Sequence, residues 1–285
     1  MTALTDKARA KINLTLRVVG RRADGYHELE SLVAFAGLAD TLTLEPGPQL
    51  SLEMTGRNAD MCGPAADNLV LKAAARLRER VGALQAGRFV LEKNLPVAAG
   101  IGGGSADAAA ALRLLARANN IALDDGRLAT AALATGADVP VCLQQRGRIM
   151  RGVGELLSAP ISLPPLPAVL VNPGVALATR DVFTAFAAGK GSEKPLGAVP
   201  TTYDALIGFL GQHGNDLTQA AIKCNAVVAQ VLDALAAQPG ARLARMSGSG
   251  ATCFALFGAS GEAGAAAQRL KAENKAWWVA ATTLS

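Results

Sequence analysis

Between Leu95 and Asp107 the chain reads Leu-Pro-Val-Ala-Ala-Gly-Ile-Gly-Gly-Gly-Ser-Ala-Asp, with glycine at four of the five positions 100–104. Residues without a Cβ let a backbone adopt positive φ and come close to a ligand. A strand is expected just before this run, and a helix from Ser105 or the residue before it to Asn119. The unpaired N–H groups and positive dipole end of that helix would face the ligand space. Together these features describe a receptor for phosphate; the alternative is a tight turn that is merely rich in glycine. A Walker A loop is excluded because no lysine follows Gly104, and a dinucleotide fingerprint is spoiled by the serine at position 105. The protein-kinase catalytic-loop and D-F-G signatures are missing as well.

The elements that must position this loop are legible from periodicity. Residues 10–18 alternate as a strand does, with Ala10, Ile12, Leu14, Leu16 and Val18 on one face and Lys11, Asn13, Thr15 and Arg17 on the other. Lys11 and Asn13 therefore share a face and are expected outside the core. Asp24-Gly25 signals a turn before Tyr26 and His27, and short alternating runs follow near 41–45 and 50–54. Asn68 is placed to cap a helix carrying Leu69, Ala73, Leu77 and Val81 and ended by Gly82. Strand 88–91 precedes the glycine loop. A helix over about 125–135 stops at Gly136, and a strand containing Val141 and Leu143 is expected after Asp138-Val139-Pro140. Prolines 160, 164, 165 and 167 mark the expected boundary between domains 1–159 and 160–285. Beyond it come a strand at 168–172, helices near 180–187, 203–211 and 217–237, strands at 242–246 and 252–257, a helix at 260–273 and a strand at 276–283. With the helices of the insert taken as one, the order is β-α-β-β-α-β, the ferredoxin-like arrangement.

Composition narrows the function class. Of the 285 residues 51% are hydrophobic and 18% charged, which supplies a core and disfavours disorder. The net charge of +5 suits an anionic partner, but with aromatics at 4% there is no basic stripe interleaved with stacking platforms. A phosphorylated metabolite fits better than nucleic acid. The four cysteines are widely spaced with no CxxC pair, which argues for buried thiols in a reducing compartment over zinc or disulfides. No apolar stretch reaches membrane-spanning length and the start lacks a signal-peptide core, so a cytoplasmic protein without membrane or nucleic-acid partners is expected.

Four segments, in order, resemble the GHMP kinases: Ala10-Lys11-Ile12-Asn13-Leu14 with Gly20 to Leu29, the glycine loop, Gly136-Ala137-Asp138-Val139-Pro140, and Met246 to Phe254. The resemblance spans nearly the whole chain. It implies an α+β kinase of two domains, an N-terminal nucleotide-binding domain like a ribosomal-protein fold and a C-terminal ferredoxin-like domain. Within the family the N-terminal signature matches the branch acting on 4-diphosphocytidyl-2-C-methyl-D-erythritol, implying transfer of the ATP γ-phosphoryl to its 2-hydroxyl. Asp138 is then the general base and Lys11 its charged neighbour, since a carboxylate can accept a hydroxyl proton and an ammonium can steady charge on the reacting oxygens.

The resemblance further implies that Asn68, Pro96, Ala98, Ala99, Gly100, Ile101, Gly102, Gly103, Gly104, Ser105 and Ala106 bind ATP. Asn13, Tyr26, His27, Thr179, Phe183, Gly248, Ser249 and Gly250 bind the acceptor. Tyr26 and His27 would meet the cytosine and Phe183 close its other side, although Phe183 reads nearly as well as a core residue. Asn68 serves equally as a helix cap. Residues 178–183 depart from the proline-flanked version of the family. Magnesium is expected with ATP, held mainly by the phosphates and reachable by Ser105, with no separate protein metal site. A monomer or weak dimer is expected. Rival readings are a GHMP kinase for homoserine, mevalonate or a sugar, a non-catalytic RNA-binding protein on the same N-terminal fold, and a dinucleotide oxidoreductase.

Overall fold

The structure, a computed structural model, describes residues 2–23, 25–186 and 191–285. In chain order its elements are β1 (Leu4–Asn13), β2 (Arg17–Arg21), β3 (His27–Pro46), β4 (Ser51–Thr55), α1 (Leu69–Val81), β5 (Gly87–Glu92), α2 (Gly103–Ala118), α3 (Gly126–Thr135) and α4 (Val139–Gln144). There follow β6 (Arg148–Gly152), β7 (Leu156–Leu157), β8 (Leu166–Asn172), α5 (Thr179–Phe186), α6 (Tyr203–Gly211), α7 (Thr218–Cys224), α8 (Val227–Ala236), β9 (Ala241–Met246), β10 (Cys253–Phe257), α9 (Ser260–Glu273) and β11 (Trp278–Leu284). Two compact units form, and neither is one stretch of chain. The first comprises Met1–Ala10, Leu38–Val97 and Gly102–Gln145; the second comprises Lys11–Gly37, Ala98–Ile101 and Arg146–Ser285. The proline-marked boundary at 159 and 160 divides the sequence, whereas these units interleave along it.

In the first unit β5 runs antiparallel to the later part of β3, with Leu42 opposite Leu91, and parallel to β4. Helix α1 starts where the Asn68 side chain accepts from the Val70 N–H at 3.0 Å, and it stops at Gly82, whose φ of 74° suits glycine. Its apolar stripe, Val70, Ala73, Ala74 and Leu77, is buried, and it packs against α2 and α3. Helix α2 is buried from Ala106 through Ala116, and its run of alanines permits that close approach. The strand expected through Val141 and Leu143 is instead the short helix α4. Pro140 lies in its first turn, where the missing N–H costs nothing, and the apolar run was too short for periodicity to decide.

The second unit holds the expected β-α-β-β-α-β chain, with α5 to α8 in its first connection. The four antiparallel strands lie in the order β11-β8-β10-β9. All seven residues of the inner strand β8 are buried, which accounts for the apolar run from Leu166 to Val171. The helix expected over 217–237 is two helices. Asn225 ends α7, and its side chain accepts from the Val227 N–H at 3.1 Å to start α8. Residues 27–33 of β3 pair with β2 and β6. The β2–β3 turn has Gly25 at φ 90°; Asp24, the other half of the turn signal, lies outside the described residues. So does residue 187 of the helix expected near 180–187.

Candidate active site

The strand read as spanning 10–18 ends at Asn13, and its polar face is not outside the core: Lys11, Asn13 and Thr15 are 3%, 2% and 2% exposed. That corrects the expectation from alternation. Polar partners make the burial tolerable. The Lys11 ammonium donates to Asn13 Oδ1 at 2.8 Å, Asn13 Nδ2 donates to Ser31 Oγ at 2.7 Å, and the Ser31 hydroxyl donates to the Thr15 carbonyl at 2.5 Å. The Lys11 backbone N–H donates to the Ile101 carbonyl at 2.9 Å. The Asn13 N–H donates to Ser247 Oγ at 3.1 Å, and the Ser247 hydroxyl donates onward to the Gly100 carbonyl at 3.0 Å. Within the second unit, a buried cation is therefore tied to the opening of the glycine loop.

The Gly248–Gly250 turn between β9 and β10 lies against that opening. Gly100 has φ 74°, and a Cβ there would stand 2.5 Å from the Gly250 carbonyl oxygen. A Cβ on Gly248 would meet the Gly100 carbonyl oxygen at 2.9 Å and Asn13 Oδ1 at 3.3 Å. Only glycine permits these approaches. The Thr252 N–H donates to the Ala99 carbonyl at 3.1 Å, and Asn215 Nδ2 donates to the carbonyls of Met246 and Gly248, each at 2.8 Å. The hydroxyls of Ser249 and Thr179 share a hydrogen bond of 2.9 Å at the start of α5. Ala98, exposed at φ 52°, is a non-glycine residue in the left-handed region.

His27 and Phe183 meet in the same unit, their rings stacked with centroids 4.8 Å apart, and Phe186 packs edge-on to His27. Phe183 is only partly buried, at the margin of the unit's core. Burial, with the Arg21 charge adding to it, pulls the His27 imidazole below its usual range, so it is neutral at pH 7. Tyr26, beside it, is 66% exposed.

The remaining candidates belong to the first unit. Gly102 caps α2 with φ 62°, Gly103 opens the helix one or two residues earlier than expected, and the Ala106 N–H donates to the Gly102 carbonyl at 2.8 Å. Ser105 is thus in the first turn, half-buried, while Gly104 is exposed. Pro96 lies half-buried between β5 and the loop, and Asn68 is the α1 cap described above. Asp138 occupies the N-cap position of α4, half-buried. The glycine loop passes from the second unit to the first between Ile101 and Gly102.

Sequence reasoning missed the hydroxyls that hold Lys11 and Asn13 in place. Ser31 and Ser247 are fully buried. Nothing in its local sequence sets Ser31 apart from other strand serines, while Ser247 lies inside the Met246 to Phe254 segment, in which only Gly248, Ser249 and Gly250 drew a role. It also gave no role to Lys93, Asp40 and Asp107. The last had a visible signal, because it is an acid inside the otherwise apolar run Ala106 to Leu112.

Comparison with known proteins identifies the family. Residues 68–146 match the family model described as the GHMP kinases N terminal domain, and residues 204–276 match the GHMP kinases C terminal model. A curated relative from Rhodopseudomonas palustris, named 4-diphosphocytidyl-2-C-methyl-D-erythritol kinase, is 58% identical over 296 residues, covering 100% of both chains. Another of the same name, from Bradyrhizobium diazoefficiens, is 55% identical and covers 100% of this chain and 99% of its own. A crystal structure of 4-(cytidine 5'-diphospho)-2C-methyl-D-erythritol kinase superposes with a TM-score of 0.79 at 36% identity, covering 99% of each chain. With both domain models matched and full-length relatives above half identity, this chain belongs to the GHMP kinase family of ATP-dependent small-molecule kinases.

Proposed function

We propose that this GHMP kinase transfers the γ-phosphoryl group of ATP to the 2-hydroxyl of 4-diphosphocytidyl-2-C-methyl-D-erythritol, giving the 2-phosphate and ADP in the non-mevalonate route to isoprenoid precursors. The carrying observation is the buried Lys11 ammonium, held by Asn13 and tied through Ser247 to the start of the glycine loop. The identity of the acceptor is supported by the names of the full-length relatives.

In this reading Asp138 accepts the proton of the attacking hydroxyl, and Lys11 offsets negative charge on the reacting oxygens. The backbone of residues 98–106, flanked by Pro96, cradles the phosphates, aided by the N-terminal end of α2. Asn68 lies on the adenine side. Tyr26, His27, Phe183 and Thr179 take the cytidine end: Phe183 swings from His27 to leave the base between rings, and the neutral His27 offers hydrogen bonds. Asn13 contacts the methylerythritol part, and Gly248, Ser249 and Gly250 approach it through their backbone. Among the described residues no group of three or more His, Cys, Asp or Glu could cage a metal. A donor set of one serine hydroxyl and isolated carboxylates fits a magnesium ion carried mainly by the ATP phosphates, with Ser105 as its protein contact. When bound, that ion neutralises phosphate charge. Residues 1–159 act as the nucleotide-binding domain, which also lends Asn13, Tyr26 and His27 to the acceptor, and 160–285 act as the acceptor domain, in a monomer or weak dimer. Cytoplasmic placement is supported by four free cysteines among the described residues.

The test is incubation with ATP, magnesium and the cytidine diphosphate acceptor, read by phosphorus NMR. A new phosphomonoester resonance appearing with ADP is the expected result. Equal or faster turnover of homoserine, mevalonate or a sugar would assign a different acceptor.

A further inference from the structure

Beneath the first turn of α2, in the first unit, lies a charged cluster that the reaction does not use. The Lys93 ammonium donates to Asp40 Oδ2 at 2.5 Å and to Asp107 Oδ2 at 2.6 Å. The side chains are 3%, 0% and 2% exposed respectively. Three elements meet there: β3 supplies Asp40, the segment leaving β5 supplies Lys93, and α2 supplies Asp107. Buried ion pairs contribute little net stability, because desolvation offsets their attraction. Asp107 Oδ1 is moreover buried without a hydrogen-bond partner, a cost that packing alone would not retain.

The cluster does grip the segment that enters the glycine loop. Asp40 Oδ1 accepts from the N–H groups of Asn94 and Leu95, at 2.6 and 2.8 Å. On the other side Asn58 Nδ2 donates to the carbonyls of the same two residues, at 3.2 and 3.0 Å. The Lys93 N–H donates to the Thr55 carbonyl at 2.7 Å, and the Lys93 carbonyl accepts from the Asn58 N–H at 3.3 Å. The peptide units of residues 93–95 are thus held from both sides immediately before Pro96. A Cβ on Gly103 would stand 3.3 Å from Lys93 Nζ and 3.9 Å from the Pro96 carbonyl oxygen. The bare glycine lets the ammonium lie against the opening turn of α2.

We propose that Lys93, gripped by Asp40 and Asp107 beneath Gly103, is a positioning residue that sets the curvature of the phosphate-binding loop before ATP arrives. The ammonium bolts the strand end on one side of the loop to the helix on the other. The loop amides are thereby preorganised, and ATP need not spend binding energy on aligning them. The inference rests on the ATP-dependent reading above and adds residues which that reading does not contain.

Three variants test it, with thermal melts run beside the kinetics: Asp107→Ala, Asp107→Asn, and the double variant Lys93→Met/Asp107→Leu. The double variant removes Lys93 and Asp107 together; Asp40 keeps the N–H groups of Asn94 and Leu95 but loses its ammonium. Its melt is therefore read first, and where it does not fold the comparison of Asp107→Ala with Asp107→Asn decides. For Asp107→Ala and the double variant, KM for ATP rises about 10- to 100-fold while KM for the acceptor stays within about twofold. Asp107→Asn, whose amide oxygen still accepts from Lys93, recovers most of the ATP affinity that alanine loses. Titration with a non-hydrolysable ATP analogue follows the same order. The proposal falls if the double variant binds ATP as the wild type does, if both KM values rise together, or if Asp107→Asn is as impaired as Asp107→Ala. Wild-type protein that neither turns over nor binds the analogue would instead remove the activity on which the proposal rests, and that is read before any variant.

Discussion

In the proposed reaction Lys11 and Asp138 carry the chemistry, and the chain treats them differently. Lys11 is sunk in a polar network, its ammonium donating to Asn13 and the Asn13 amide to Ser31. Asp138 stands half-buried at the start of a short helix. A buried ammonium with a fixed partner is preorganised for charge stabilisation, whereas a more open carboxylate can take a proton and release it to solvent. Asp138→Ala is expected to lower turnover by about 10²–10⁴ while ATP affinity by titration stays near wild type. Turnover close to wild type would remove the base assignment. If the two residues act as a unit, Lys11→Ala combined with Asp138→Ala will cost little more than the worse single variant. Simple multiplication of the two losses would mean that they act separately.

At the scale of elements, the glycine loop does two jobs, and substitutions separate them. Gly100, at φ 74°, faces the Gly250 and Ser247 carbonyl oxygens, where a Cβ would stand 2.5 and 2.7 Å away. Gly100→Ala is expected to destabilise the protein by at least about 1–3 kcal/mol from backbone strain, before any clash is counted, seen as a fall in Tm. Gly104 lies within α2, and its Cβ would make only an ordinary contact of 3.6 Å with Leu69 Cδ1. Gly104→Ala should therefore leave Tm unchanged or raise it, a helical glycine costing roughly 0.5–1 kcal/mol against alanine. If its bare backbone lies under a phosphate, KM for ATP rises all the same. A Gly104→Ala enzyme with wild-type KM would place the phosphates elsewhere. The loop itself was legible because glycine spacing reports backbone shape directly. Helix α1 was legible because Asn68 and Gly82 punctuate it, as were the β8 to β11 strands through their apolar runs. Helix α4 was not, because six residues carry too little periodicity. Nor was the burial of Lys11 and Asn13, since alternation reports two faces but not what Ser31 and Ser247, far along the chain, bring to one of them.

For the molecule as a whole, the buried charges make stability depend on pH in a way that can be read from the fold. Burial, against the pull of the Lys93 ammonium and with the Asp40 charge adding to it, pushes the Asp107 carboxyl up to about 7. On Lys93 burial works downward but the two carboxylates outweigh it, and the ammonium keeps its proton more firmly than usual. Cys62, in the turn Ala59–Cys62, also feels these charges, and its thiol is pushed up chiefly by burial. An acid whose folded value is raised binds more protons folded than unfolded, so its contribution to stability falls as pH climbs from about 4 to about 7. His27 and His213, both depressed chiefly by burial, act in the opposite sense: stability is lost as pH drops below about 6.5, where the unfolded chain takes up their protons. Asp107→Asn removes only the first effect. Its Tm should exceed that of the wild type at pH 8, where Asp107 must be buried with its charge. The gain should shrink towards pH 5, where the wild-type carboxyl is already neutral, while the histidine-driven loss below about pH 6.5 is common to both proteins. Melting curves at half-unit steps of pH decide the matter: a difference in Tm that is constant across the range would mean that Asp107 stays ionised throughout, held as the second carboxylate on a single lysine.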